Sequence, residues 1–136
     1  MQIAEFKKMS RQILERVSTD WFDLVNQQLD LLREDCLARK DDCAKVPSIA
    51  TFELAKKTVE NLRQLAQFPD LPEPEIWAGV NGEIGIAWEF PSQTTVVELI
   101  IADQIFARVF NETEQAGLEL SRVPVILSEL TKQAAA

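Results

Sequence analysis

Residues 68–111 read FPDLPEPEIWAGVNGEIGIAWEFPSQTTVVELIIADQIFARVFN, and this stretch decides the fold. From Glu75 onward apolar residues recur at every second position, which is typical of β-strands. Asn81-Gly82 lies between two such runs and predicts a hairpin with a type I′ turn, which needs positive φ at both residues. Pro91-Ser92-Gln93 and Ala102-Asp103 predict two further turns. Together these features predict a four-stranded antiparallel β-meander.

The half of the chain before this stretch has a helical pattern. Apolar residues recur at intervals of three and four from Ile3 to Cys36, the spacing of an amphipathic helix. A second apolar stripe follows Ser48, a candidate N-cap, and ends before Pro69, because prolines interrupt a helix. Residues 1–68 are therefore predicted to form a long helical hairpin with its two helices antiparallel.

The remainder, residues 69–136, is predicted to combine the meander with a short C-terminal helix capped by Ser121. The predicted fold class is α+β, with a long N-terminal helical hairpin, a four-stranded antiparallel β-meander and a short C-terminal helix. A chain of 136 residues can bury a core without disulfides or metal, so one compact domain is expected.

Charge divides the chain unevenly. The formal net charge is −8, and residues 1–68 hold 11 basic and 11 acidic side chains, whereas residues 69–136 hold 3 and 11. An acidic surface repels phosphate, so direct nucleic-acid binding is not expected. No apolar run reaches the length of a signal peptide or of a membrane span, about 20 residues, so we expect a cytoplasmic protein without membrane contact.

The residue types present exclude most common catalytic designs. Histidine and tyrosine are absent, which removes histidine-based nucleophiles, histidine-ligated metals and tyrosine acids. Cys36 and Cys43, seven positions apart, could not form a disulfide on one helix, and two thiolates alone do not complete a zinc site, although two chains could supply four. We therefore predict a protein that is not an enzyme, with no cofactor and no evident small-molecule ligand.

Carboxylates crowd the first hairpin and form a candidate acidic patch: Glu73, Glu75, Glu83 and Glu89. On the less apolar face of a strand such groups are solvated or face a partner. Two of them converging in a pocket could instead perform general acid–base chemistry, so a carboxylate-dependent hydrolase is a further hypothesis.

Surplus apolar surface predicts a protein interface. A partner helix of about 20 residues cannot cover a stripe of about 35, which extends about 50 Å. Trp77 alternates with Ile76 and Ala78 and faces outward if those two face the core; exposed tryptophan often marks an interface. The interface candidates are Trp77, Phe6, Ile13, Val17, Trp21, Leu24 and Leu31. The alternative is that the sheet, the helices and the proline-rich segment cover them within one chain.

The segments Pro72-Glu73-Pro74-Glu75-Ile76, Asn81-Gly82-Glu83-Ile84 and Trp88-Glu89 resemble a pattern in small uncharacterised bacterial proteins. In those proteins a helical N-terminal part precedes Pro-x-Pro-x-Ile, a glycine turn and a strand that ends in Glu-Trp or a close relative. Ala87 departs from that pattern, since a glutamate often precedes the tryptophan there. The resemblance implies a bacterial or phage origin and a helix-plus-meander fold, and it carries no activity.

Two function hypotheses follow. The first is a non-enzymatic interaction or accessory protein, a homodimer that acts through the helical stripe and the acidic sheet half. The second is an acidic decoy that occupies a basic, nucleic-acid-binding surface of another protein, because the concentrated negative charge would steer that encounter.

Overall fold

The computed structural model describes residues 21–38, 46–66 and 71–135, and within these ranges the fold is α+β. Three α-helices accompany one antiparallel sheet of five strands, which neighbour one another in chain order. The helices are α1 (Trp21–Ala38), α2 (Ile49–Ala66) and α3 (Val123–Ala135). The strands are β1 (Glu75–Ala78), β2 (Ile84–Phe90), β3 (Thr95–Ile101), β4 (Ile105–Phe110) and β5 (Gln115–Leu118).

The fifth strand lies in the segment between the four predicted strands and the C-terminal helix, where the sequence pattern predicts no strand. Its turn is built by Asn111, whose side-chain Oδ1 accepts hydrogen bonds from the amides of Thr113 at 3.0 Å and Glu114 at 2.9 Å. The sequence of β5, Gln-Ala-Gly-Leu, lacks β-branched and aromatic residues and so has weak strand propensity. Pairing with β4 overrides that propensity, and the prediction of four strands was wrong.

The β1–β2 connection is also different from the predicted type I′ turn. Positive φ occurs at Gly82 (80°), while Asn81 is not among the positive-φ residues. Gly82 donates its amide to the carbonyl of Gly79 at 3.3 Å, and the Gly79 amide donates to the carbonyl of Glu83 at 2.8 Å. These bonds define a three-residue loop with Gly82 as a bulge residue. Val80 lies in this loop and is exposed.

One face of the sheet, the inner face, is covered by the helices. The side chains of alternate strand residues enter a single core, which includes Ile84, Ile86, Trp88, Phe90, Val97, Leu99, Ile101, Ala107 and, half-buried, Ile76, Ala78 and Leu118. Helical residues that complete this core are Trp21, Val25, Leu29, Phe52, Ala55, Val59, Val123 and Leu127. The core therefore joins side chains from both halves of the sequence.

The two N-terminal helices of the described part run antiparallel. Asp30 of α1 pairs with Lys56 of α2, and Arg63 lies 4.4 Å above the ring of Phe22, so positions ascend in one helix and descend in the other. Residues 1–20 lie outside the described ranges, so a hairpin of the predicted length is not shown.

The buried apolar residues of α1 are Trp21, Leu24, Val25, Leu29 and Cys36. Gln28 is half-buried and donates a hydrogen bond of 2.6 Å to Glu73.

Of the two predicted helix caps, one is confirmed and one is wrong. Ser48 caps α2, since its Oγ accepts the amide of Thr51 at 3.1 Å, as predicted. Ser121 does not cap α3: it lies inside a 3₁₀ turn (Leu120–Arg122) that precedes the helix.

Candidate protein-binding surface

The face of the sheet opposite the helices, the outer face, presents three rows of side chains that cross the strands. The strand register places Trp77, Gly85, Ile100 and Phe106 in one row, here called the apolar row. The second row contains Glu75, Ala87, Glu98, Arg108 and Gly117, and the third contains Glu89, Val96, Phe110 and Gln115. The apolar row contains no ionisable side chain.

Two large apolar side chains at this end of the sheet are open to solvent. Phe106 is 61% exposed, and Val80, in the β1–β2 loop, is 76% exposed. Both lie at the same end of the sheet, because Ile84 of β2 pairs with Ile101, which in turn pairs with Ile105.

Trp77, an interface candidate, lies on this outer face and is half-buried. Its ring lies directly over Gly85, because a Cβ placed on that glycine would fall 2.1 Å from Cε2 of the indole. A glycine at position 85 therefore creates the space that the tryptophan occupies.

An ion pair occupies the centre of the second row. Arg108 Nε donates to Glu98 Oε1 at 2.6 Å, and the guanidinium carbon lies 5.2 Å from the centroid of the Phe110 ring. The Glu98 side chain is 9% exposed and that of Arg108 is 42% exposed. A nearly buried carboxylate is costly without a partner, so this pair stabilises β3 against β4 only while both members are present.

The edge of the sheet at β1 is protected. The Gly79–Glu83 hydrogen bond fixes the ladder, so that Glu75 and Trp77 bond to β2 while the main chain of Ile76 and Ala78 points away. Pro72 and Pro74 lie just before β1 and have no amide hydrogen to offer to another chain. Helix α1 also lies against β1, and its Gln28 reaches Glu73.

Within residues 21–38, 46–66 and 71–135, the opposite edge, at β5, has none of these features. Asn111 donates its amide to the carbonyl of Glu114 at 2.9 Å, so the alternation of the ladder directs the main chain of Ala116 and Leu118 toward β4. The amides and carbonyls of Gln115 and Gly117 point away from the sheet. We call these outward groups the β5 edge.

The acidic patch is divided by the structure. Glu75 and Glu89 are exposed, whereas Glu83 folds over the β1–β2 loop, where its Oε2 accepts the Asn81 amide at 3.2 Å. Glu73 is half-buried and accepts the hydrogen bond from Gln28.

Glu73 and Glu75 also line an open cleft of about 450 Å³ together with Gln28, Pro74, Ile76 and Trp77. This is the place where the hydrolase hypothesis would locate its two acids. Glu75 is exposed to solvent and Glu73 is held by an amide, an arrangement that also suits a solvated surface.

The helical interface candidates have different positions. Trp21 and Leu24 are buried, at 3% and 9% exposure, and the Trp21 ring packs edge-to-face on Trp88 at 6.3 Å. They belong to the core of the chain itself, so a second chain could not reach them without unfolding α1. Leu31 is half-buried. Phe6, Ile13 and Val17 lie outside the described residues, as does Cys43, while Cys36 is a buried thiol.

Within the described ranges, neither the requirements of a metal site nor those of a membrane-spanning helix are met. No group of three or more cysteine, aspartate or glutamate side chains there is arranged to hold a metal ion. None of the helices described is long and apolar enough to cross a membrane.

Comparison with known proteins gives no identification. No protein-family model, curated protein or solved structure matches the chain. The resemblance to small bacterial proteins stays a prediction.

Proposed function

We propose that this protein acts without catalysis, by binding other proteins, and that one partner is a second copy of itself. The observation that carries the proposal is the apolar row, which crosses four strands on the outer face and ends at the exposed ring of Phe106. Apolar side chains aligned on an open sheet face are typical of a contact surface.

The charge of the chain supports this part of the surface as the contact. Two copies that each carry −8 repel each other, and the repulsion is smallest where the touching surfaces carry no charge. A two-fold axis through the apolar row would bring the same uncharged residues together from both copies. The helical stripe offers less support, because its described members Trp21 and Leu24 are buried.

The test is the mass of the protein in solution. Light scattering after size exclusion should give twice the 15.4 kDa of one chain. Phe106→Glu should give a monomer, because it places a carboxylate in the contact. Val125→Glu is the matched control: Val125 is 53% exposed on α3, away from the sheet, and this variant should remain a dimer. A wild-type monomer at every concentration, or a Phe106→Glu dimer, contradicts the proposal.

An acidic decoy is the second candidate. It is supported by exposed carboxylates in the sheet half, at Glu75, Glu89, Glu112, Glu114 and Glu119. Partners captured from the host by the tagged protein should then be basic nucleic-acid-binding proteins that salt and double-stranded DNA release. Capture of such partners without release by DNA would exclude the decoy mechanism.

A further inference from the structure

We propose that the β5 edge is a docking site for an extended, basic segment of a partner protein, which adds to the sheet as a sixth strand. The site lies apart from the apolar row, because that row ends on β4. It therefore goes beyond the dimer proposed above, and either surface can function without the other.

The first support is the main-chain geometry of β5. Gln115 and Gly117 direct their amides and carbonyls outward, and both residues are exposed. A Cβ placed on Gly117 would meet no atom within 4 Å, so the space above the strand is open. Strand β5 ends at Leu118, and the carbonyl of the next residue, Glu119, accepts the Arg122 amide at 2.9 Å, so the free groups of the edge are those of Gln115 and Gly117.

The second support is the absence of the usual protection in β5. An unpaired strand edge is a template for another chain, and proteins commonly block it with proline, lysine or a covering element. The sequence Gln115-Ala116-Gly117-Leu118 has neither proline nor a charged residue. Strand addition to such an edge is a known mode of peptide recognition, in which main-chain hydrogen bonds supply much of the affinity.

The charge around β5 specifies the partner. Glu112 and Glu114 precede the strand and Glu119 follows it, all three exposed. Arg122 is the nearest basic residue along the chain, and the charge of Arg108, opposite Gly117 in the register, is matched by Glu98. Lysine or arginine in the added strand would thus be attracted at both ends.

The same charges argue against a second copy at this edge. Antiparallel pairing of β5 with β5 of another copy would bring the flanking glutamates of both copies together. Like charges across a strand pair are destabilising, and the net charge of the chain adds to this repulsion.

The test uses the full chain and a fluorescent eight-residue peptide in which lysine alternates with threonine. Binding should be measurable by fluorescence anisotropy at low salt and should weaken with added salt. A peptide with glutamate in place of lysine should bind at least about tenfold more weakly. A lysine peptide N-methylated at every residue loses the donors on both of its edges but not its charge. It should also bind about tenfold more weakly or worse, since about two hydrogen bonds are removed.

Variants of the protein test the same contact from the other side. Gly117→Pro removes an outward amide hydrogen without interrupting the bonds to β4, and should weaken binding about tenfold relative to Gly117→Ala, which keeps that hydrogen. Glu112→Gln combined with Glu119→Gln should weaken binding and reduce its salt dependence. Glu129→Gln, an exposed carboxylate on α3, should leave binding unchanged.

Three results would overturn the proposal: no binding of the lysine peptide, equal binding of the N-methylated peptide, or equal binding by the proline and alanine variants. If Gly117→Pro does not fold, the comparison of the two lysine peptides on the wild-type protein decides alone. Phe106→Glu should still bind the peptide, so failure of the dimer and failure of the β5 edge give different results.

Discussion

The two edges of the sheet differ in almost every feature that controls strand pairing. Just before β1, Pro72 and Pro74 offer no amide hydrogen, and α1 lies alongside with Gln28 bonded to Glu73. In β5, Gln115 and Gly117 are exposed, and no element among the described residues covers their outward groups. The difference indicates that the open edge is not a general property of the fold, because the chain carries the means to close an edge and uses them on one side only.

The glycines near the two edges repeat the contrast. Gly85, beside β1, is covered by the ring of Trp77, whereas Gly117, in β5, has open space above it. One glycine makes room for packing within the chain, and the other leaves the main chain accessible from outside.

Replacing each of these glycines by valine should give the largest difference between the edges. At Gly85 the new Cβ would lie 2.1 Å from the Trp77 ring, which must move, so we expect Gly85→Val to lower the free energy of unfolding by about 2 kcal/mol. Gly117→Val should change it by no more than about 0.5 kcal/mol. Urea unfolding followed by tryptophan fluorescence measures both. Equal losses would show that Trp77 does not depend on the space above Gly85.

The β1–β2 loop and the β4–β5 turn should be sensitive to different substitutions. We expect these to lower the free energy of unfolding by less than Gly85→Val does. Gly82 has a φ of 80°, so Gly82→Val forces a β-branched residue into the left-handed region and should cost about 1–2 kcal/mol. The β4–β5 turn depends instead on the Asn111 side chain, and Asn111→Ala should cost about 1 kcal/mol.

Amide hydrogen exchange separates the two loop variants. Gly82→Val should accelerate exchange at Trp77, which bonds to β2, and Asn111→Ala should accelerate it at Ala116 and Leu118. Faster exchange at β5 in the Gly82 variant, with β1 unchanged, would reverse the assignment of the loops.

Removing the prolines of the β1 edge should have the smallest effect on stability. Pro72→Thr with Pro74→Thr restores two amide hydrogens next to the β1 edge, and we expect the free energy of unfolding to change by no more than about 1 kcal/mol, because the lost rigidity of the unfolded chain is partly offset by strand propensity. The informative measurement is the stoichiometry of the lysine–threonine peptide in titration calorimetry. The number of peptides bound per chain should rise from one toward two if the prolines prevent a strand from pairing with β1. An unchanged number would indicate that α1 prevents this pairing instead.

Local patterns in the sequence were sufficient to predict the types of the elements between Ser48 and Phe110. Alternation after Glu75 predicted the strands, Pro91-Ser92-Gln93 marked the turn between β2 and β3, and Ser48 marked the start of α2. Each of these depends on neighbours within a few residues, which is the range over which turn chemistry and side-chain periodicity act.

Strand β5 was missed because pairing with the neighbouring strand outweighed the propensity of its own residues. Gln115–Leu118 has weak strand propensity and becomes a strand because the Asn111 turn places it against β4. In α1, Leu29 is fully buried, whereas the neighbouring Gln28 donates a hydrogen bond to Glu73, which lies in the sheet half of the chain. Asn111 is a residue typical of turns and could have suggested that another strand follows it. No local feature of residues 115–118, however, distinguishes a short strand from a loop.

The sequence by itself determined the α+β class, the antiparallel order of the strands from Glu75 to Phe110 and the acidity of the sheet half, because periodicity, turn residues and charge are local properties. Only the tertiary structure decided that Trp77 lies over Gly85, that the apolar row remains on the outer face, and that β5 rather than β1 is the open edge. These depend on which faces the helices cover and on which main-chain groups find partners, and both are settled only when segments far apart in the chain pack together.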